Sequence, residues 1–294
     1  MNQADTLEKI MGTAAAPQKN GQGTPSPRVI SITSGKGGVG KTAIAANIAI
    51  SLAGLGKKVL IIDADLGLAN IDVVFGLNPQ YNLNHFFGGE QSLEAIITDG
   101  PAGVKILPAG SGIQKFTNLD STQKMRFMND LEALHGDFEV VIIDTEAGIS
   151  NNVTFFNTAA QDTLIVATPE PTSITDAYAL MKLLSTQFQE KRFKLVVNLA
   201  RDEDEALEVY QKLTMVSNRY LDISLDFVGS IPFDKRMYES IRKQKAMVEL
   251  FPTSKTSAAF RALASTLTSE PRATAPKGTS QFFWKSLLNF GKGI

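Results

Sequence analysis

The chain has 294 residues, 43% of them hydrophobic and 20% charged, with a formal net charge of −1 and no cysteine. That is enough chain for one large α/β domain with a sizeable core. The missing cysteines exclude disulfides, thiolate zinc sites, iron–sulfur clusters and cysteine nucleophiles, and the near-neutral balance does not suit a protein that wraps nucleic acid.

Residues 1–27 are polar and small, with Gly21, Gly23, Pro25 and Pro27 clustered at the end, a pattern that predicts a flexible arm. Its start, Met1-Asn2-Gln3-Ala4-Asp5, is not a secretory signal, and no run approaches the roughly 18 apolar residues of a membrane span, so the expected location is cytoplasmic. Residues 28–268 then alternate apolar runs with helical patterns. Strands are expected at 29–34, 59–62, 104–107, 140–143, 163–167, 195–198 and 227–231. Helices are expected at 42–55, 122–134, 173–188, 203–218 and 256–267. Most of the strand segments are apolar on successive residues, as strands covered on both faces must be. The alternation predicts βαβ units with right-handed crossovers, hence an α/β fold with a single doubly wound, mostly parallel sheet flanked by helices. No internal repeat is visible, which argues against a duplicated two-headed protein. The two histidines, His85 and His135, flank no ligand pattern and are expected to be structural.

The first βα junction carries the chemistry. Gly35-Lys36-Gly37-Gly38-Val39-Gly40-Lys41-Thr42 meets the spacing G-x-x-x-x-G-K-[ST] between a predicted strand and a predicted helix. Glycines let successive backbone N–H groups turn inward on phosphate oxygens, and the helix start points its positive end at the same anion. Lys41 is placed to reach the β/γ-phosphates and the Thr42 hydroxyl to ligate Mg²⁺. Two further strands end in acids: Leu60-Ile61-Ile62-Asp63-Ala64-Asp65 has two carboxylates at i and i+2, and Val140-Val141-Ile142-Ile143-Asp144 has one. The C-terminal edge of a parallel sheet is where ligands bind, and Mg²⁺ on a triphosphate needs only one or two carboxylates.

The second lysine gives the loop the form K-G-G-x-G-K-T, which resembles the deviant-Walker-A ATPases of the MinD/ParA family. The resemblance implies a P-loop fold, ATP/ADP and Mg²⁺ as ligands, ATP hydrolysis, and an ATP-sandwiched homodimer. Within it, Lys36 is the lysine that reaches the partner's nucleotide, Asp65 positions or activates the attacking water, Asp63 supports the Mg²⁺ shell and Asp144 is the Walker B aspartate. Asn198, Pro232 and Phe233 with Asp234 fall where the family holds adenine. Two departures stand out. Ala43 removes a second hydroxyl, and Glu146 in Asp144-Thr145-Glu146-Ala147-Gly148 replaces a small residue or proline. An acid so near a γ-phosphate is expected to slow hydrolysis or make it depend on a partner.

Two longer stretches, residues 63–72 and 169–180, resemble the FlhG/FleN branch of the family, which regulates flagellar number and placement. The resemblance covers residues 28–268. It implies as partners the GTPase FlhF, a transcription regulator of the FleQ/FlrA type and C-ring proteins, with no direct DNA binding. Asn2-Gln3-Ala4-Asp5-Thr6-Leu7 is similar to the D-Q-A-x-x-L-R segment that stimulates FlhF, with Asn2 for Asp and Glu8 in the arginine's place. A MinD-type cell-division ATPase and a ParA-type segregation ATPase remain as alternatives.

Residues 269–280 are a second linker and residues 281–294 a short tail. On a helix, Phe283, Trp284, Leu287, Leu288 and Phe290 share one face while Lys285, Ser286 and Asn289 take the other. Aromatics opposite lysines predict an interfacial amphipathic helix. It would place the ATP-bound protein peripherally on the inner membrane, as the family resemblance also implies. The other reading is a helix docked on the protein's own surface, and both hold if docking is released by dimerisation.

Overall fold

The computed structural model describes residues 27–65, 70–110 and 121–269. The arm, the Asn2–Leu7 segment, most of the second linker and the tail with Phe283, Trp284, Leu287, Leu288 and Phe290 lie outside the described residues.

In chain order the elements are β1 (Arg28–Ser34), α1 (Lys41–Gly54), β2 (Val59–Ala64), α2 (Ile71–Phe75), α3 (Leu83–Phe87), α4 (Leu93–Ile96), β3 (Thr98–Asp99) and β4 (Lys105–Leu107). There follow α5 (Ser121–Ala133), β5 (Val140–Ala147), α6 (Asn151–Ala159), β6 (Asp162–Ala167), α7 (Pro171–Phe188), β7 (Arg192–Ala200), α8 (Glu203–Tyr220), β8 (Ser224–Pro232), α9 (Arg236–Arg242), α10 (Met247–Leu250) and α11 (Lys255–Ser269). The strands form one sheet in the order β3-β4-β2-β5-β1-β6-β7-β8. Only the β3–β4 edge pair is antiparallel.

The central strands are apolar on both parities because each face has its own cover. Ile30, Ile32, Val59, Ile61, Val140 and Ile142 pack with α1 and α11 on one side. Val29, Leu60, Ile62, Val141 and Ile143 pack on the other side with Phe86, Phe127, Phe155 and Phe156. A third cluster joins β6 and β7 to Leu180, Leu184, Val209 and Leu213 of α7 and α8. The doubly wound parallel sheet expected from the sequence is therefore what the chain builds, with every strand and helix expected within residues 28–268 present.

The sequence reading passed over α2, α3, α4, α6, α9, α10 and the two-residue β3. Most are too short to show a period of 3.6. The nine-residue α6, Asn-Asn-Val-Thr-Phe-Phe-Asn-Thr-Ala, is composed of poor helix formers and is held by tertiary contacts. Ser150 caps it by accepting from Val153 N–H at 3.2 Å. Its buried Asn157 accepts from Ser31 Oγ at 2.7 Å and donates to Thr33 Oγ1 at 3.1 Å, tying the helix to β1. His85 has a structural role, as expected, completing a capping box with Asn82 at the start of α3; the His135 side chain lies outside the described residues. No described helix is long and apolar enough to cross a membrane.

At the N-terminal ends of the strands, Arg28 Nε meets Asp162 Oδ2 at 2.7 Å and Lys194 Nζ stands 3.9 Å from Asp162 Oδ1, all three largely buried. The opposite ends carry the candidate site.

Candidate nucleotide-binding site

The loop between β1 and α1 turns back on itself with φ of 78° at Gly38 and 93° at Gly40, a region that favours glycine. Two of its glycines are needed for space. A Cβ on Gly35 would lie 2.1 Å from the Asp176 carbonyl oxygen of α7, and one on Gly40 would lie 2.4 Å from Asn198 Nδ2. The loop is thus gripped between α7 and the end of β7. Its helix, α1, starts at Lys41 with no side-chain cap. The uncapped N–H groups and the helix dipole favour an anion there.

Lys41 is buried, and its ammonium donates to Ser34 Oγ at 3.1 Å. Ser34 in turn donates to the Lys36 carbonyl at 2.7 Å. Burial pushes the Lys41 ammonium below its usual range, opposed by the charges of Asp144, Asp65 and Glu146. Ser34 was not foreseen; its position at the end of a strand that is otherwise Ile- and Val-rich was the available signal.

Parallel pairing of β2 with β5 sets Asp63 directly beside Asp144. Both are buried, and burial pushes Asp63 up to about 8 and Asp144 up to about 7. Their environments differ. Asp63 Oδ1 accepts from Asp65 N–H at 3.1 Å, and Oδ2 accepts from Asn70 and Ile71 N–H at 3.0 and 3.2 Å. It therefore ties down both ends of the loop that follows β2. Neither oxygen of Asp144 has a hydrogen-bond partner. Thr42 and Lys41 stand close enough to hold its shift back, Thr42 the more strongly, although Thr42 is outside ordinary hydrogen-bonding geometry. An orphaned buried carboxylate beside a phosphate-loop threonine fits a hard divalent cation completed by phosphate oxygens and water. Among the described residues no group of three or more acids or histidines is placed to hold a metal ion.

Lys36 points away from Lys41. Its ammonium forms an ion pair with Glu170 and donates to Thr172 Oγ1 at 2.8 Å, and its side chain is 35% exposed. Glu170 and Thr172 sit at the start of α7, in a stretch quoted above only for its resemblance; the pairing was not foreseen.

Asn198, Pro232 and Phe233, expected on the base side, lie around one cavity. Asn198 Nδ2 donates to the Val39 carbonyl at 2.7 Å, joining β7 to the phosphate loop. Beside it, a cavity of about 130 Å³ is lined by Gly38, Gly40, Asn198, Pro232, Phe233 and Tyr238, among others. Leu199, also in its wall, has φ of 61°, unusual for a branched residue. The rim is apolar, with Phe233 and Tyr238 in edge contact at 6.4 Å. Asp234, at the same corner, is engaged elsewhere, by Arg236 and by Thr256 at 3.0 Å. Loop, carboxylate and apolar cavity all lie at the C-terminal ends of the parallel strands.

Comparison with known proteins agrees with this geometry. The family model described as ParA, NUBPL iron-transfer P-loop NTPase, matches residues 26–268. The chain is 42% identical over 261 residues to the antiactivator FleN of Pseudomonas aeruginosa, covering 89% of this chain and 93% of that one. It is 32% identical over 293 residues to the flagellum site-determining protein YlxH of Helicobacter pylori, covering 98% and 99%. The septum site-determining protein MinD of Pyrococcus horikoshii, solved with Mg-ADP, superposes with a TM-score of 0.69 at 26% identity over 83% of this chain and 96% of that one. The chain belongs to the ParA/MinD family of P-loop NTPases, and its relatives include the FleN/FlhG regulators of flagellar number.

Proposed function

We propose that this chain is a Mg²⁺-dependent ATPase switch that pairs with a second copy when it holds ATP, associates peripherally with the inner membrane, and restrains flagellar number or placement. The observation that carries the nucleotide part is the buried Asp144 carboxylate with no partner, set beside Lys41 and Thr42 at an uncapped helix start. The flagellar part rests on the antiactivator FleN and on the flagellum site-determining protein YlxH, which align over most of the chain. The iron-transfer role in the family model's description is not carried over, since a chain without cysteine has no thiolate for a cluster.

In this reading the backbone N–H groups of residues 35–42 bind the phosphates, and Lys41 gives up its Ser34 bond for the β/γ-phosphate oxygens. Thr42 and Asp144 would hold Mg²⁺, which when bound draws charge off the phosphates. Asp63 supports that site by fixing the loop that bears Asp65, and Asp65 orients the attacking water. Asn198, Pro232 and Phe233 receive the base. Lys36, half-exposed and paired only at the surface, leaves Glu170 and Thr172 to contact the second copy's phosphates, where a cation stabilises developing charge. Residues 28–268 form the ATPase domain, with residues 1–27 an arm and 269–280 a linker to the tail. Phe283, Trp284, Leu287, Leu288 and Phe290 of that tail insert at the membrane, and two tails in a dimer bind far more tightly than one. FlhF, a FleQ/FlrA-type regulator and C-ring proteins are the partners implied.

The test is size-exclusion chromatography with and without ATP on the wild type and on Asp65→Ala. The wild type is expected to dimerise with ATP and return to monomer as phosphate is released, while the variant stays dimeric. A wild type that is monomeric throughout would overturn the switch. Sedimentation with anionic liposomes in ATP should be lost on truncation at residue 275. A second reading, a MinD-type cell-division ATPase, is favoured by the structural likeness to MinD; retention by MinC and not by FlhF would select it.

A further inference from the structure

The end of β5 and the turn after it, Glu146 to Ser150, lie against the phosphate loop and carry a charge that the proposed switch does not use. Gly148 N–H donates to the Ser34 carbonyl at 2.9 Å. A Cβ on Gly37 would meet the Ala147 methyl at 3.9 Å. These two contacts fix Glu146, the residue just before them, at the rim of the phosphate site. A register shift between Ile32 and Ser34 puts an extra residue into β5 here, and bulges of this kind re-aim side chains beside functional sites. The Glu146 carboxylate is held by the Ser150 hydroxyl, which itself caps α6. The cap matters because α6 is tied through Asn157 to Ser31 and Thr33 of β1. Through this contact and the α6 cap, Glu146 is linked to the framework.

We propose that Glu146 is a specificity-determining residue of the nucleotide site, a fixed anion that disfavours the terminal phosphate of a nucleoside triphosphate and so biases the chain toward the diphosphate-bound state. This rests on the nucleotide-binding reading above. The loop's N–H groups and Lys41 offset the phosphates of either nucleotide, but a third phosphate adds its charge beside the one lysine that Asp144, Asp65 and Glu146 already share. Repulsion between like charges at such range is large enough to matter where water is partly excluded. The consequence is a threshold: the triphosphate form becomes favourable when a further cation arrives, and Lys36 of a second copy supplies one. Glu146 thereby couples ATP retention to pairing.

The experiment measures affinities of the full chain for Mg-ADP and for a non-hydrolysable Mg-ATP analogue, in wild type, Glu146→Gln and Glu146→Ala. Gln keeps an acceptor for Ser150 and removes only the charge. Both variants are expected to tighten the triphosphate analogue about tenfold while moving ADP by less than about twofold, with the gain shrinking at high salt. An unchanged ratio of the two affinities in both variants overturns the proposal and leaves the nucleotide site standing. A gain in Ala that Gln does not share also overturns it, since bulk and not charge would then be responsible. If the wild type binds neither nucleotide, the reading of the site fails and this proposal falls with it.

Discussion

The two ends of the sheet treat buried charge in opposite ways. At the N-terminal end, Arg28, Asp162 and Lys194 satisfy one another within the chain. At the C-terminal end, Asp63 and Asp144 face each other across β2 and β5, burial raises both, and neither Asp144 oxygen has a hydrogen bond of ordinary geometry, although Thr42 and Lys41 stand close by. Buried polar groups are ordinarily satisfied because leaving one unmade costs about 1–3 kcal/mol. One end is finished by folding. The other is left incomplete and, on the proposed nucleotide reading, is finished by a ligand, so the same kind of residue would contribute stability at one end and function at the other.

The sharpest way to break this contrast is to remove the satisfied side. Arg28→Met leaves Asp162 with only the more distant Lys194 and should lower unfolding free energy by about 3 kcal/mol, read by urea denaturation, without altering nucleotide affinity. On the incomplete side the sign reverses. Asp144→Asn removes a buried charge, so the free protein should become more stable by about 1–3 kcal/mol while the stabilisation that Mg-nucleotide confers in a thermal melt disappears. A loss of stability in Asp144→Asn would mean the carboxylate is satisfied after all.

The pH dependence sharpens the same point. Asp63 and Asp144 titrate in the fold at about 8 and 7, far above an unfolded aspartate, so the folded chain holds more protons between pH 4 and 8. Stability carried by these groups is complete below the unfolded value and is lost as pH rises through 7 to 8. The free protein should therefore lose roughly 3–4 kcal/mol between pH 6 and pH 8. The loss should be smaller in Asp144→Asn, and Mg-nucleotide binding near neutrality should release protons, measurable by calorimetry in buffers of different ionisation heat. The smallest effect is expected at Asp234, which the Arg236 hydrogen bonds first, with help from Thr256, pull down to about 2. Its contribution is present above the unfolded value and lost as pH falls through about 2. Asp234→Asn should cost no more than about 1 kcal/mol at neutral pH, because Arg236 is half-exposed.

Much of this was legible because parallel strands covered on both faces leave runs such as Val140–Ile143 that are apolar on every residue, and because the phosphate loop needs its glycines at fixed spacing. What escaped notice shares a physical cause. The helix α6 is stabilised by Asn157 reaching β1 and by Phe155 and Phe156 entering the core, not by helix-forming residues. Lys36 was expected to act across a dimer, but its resting partners Glu170 and Thr172 lie more than 130 positions away, and no local pattern announces such a pairing. Asn198 was placed at the base, yet its bond to the Val39 carbonyl, which locks the phosphate loop to β7, depends on a fold not visible from spacing.

That last bond gives the sheet the character of a gauge. β1 and β7 are separated by β6 alone, so roughly 10 Å divides the strand that feeds the phosphate loop from the strand end that closes the apolar cavity. On the proposed nucleotide reading, pyrophosphate would reach one mark on this scale and a free base the other. A molecule registers on both only if it carries an anionic end and a flat ring at that separation, and the length it must have is written in the spacing of strands.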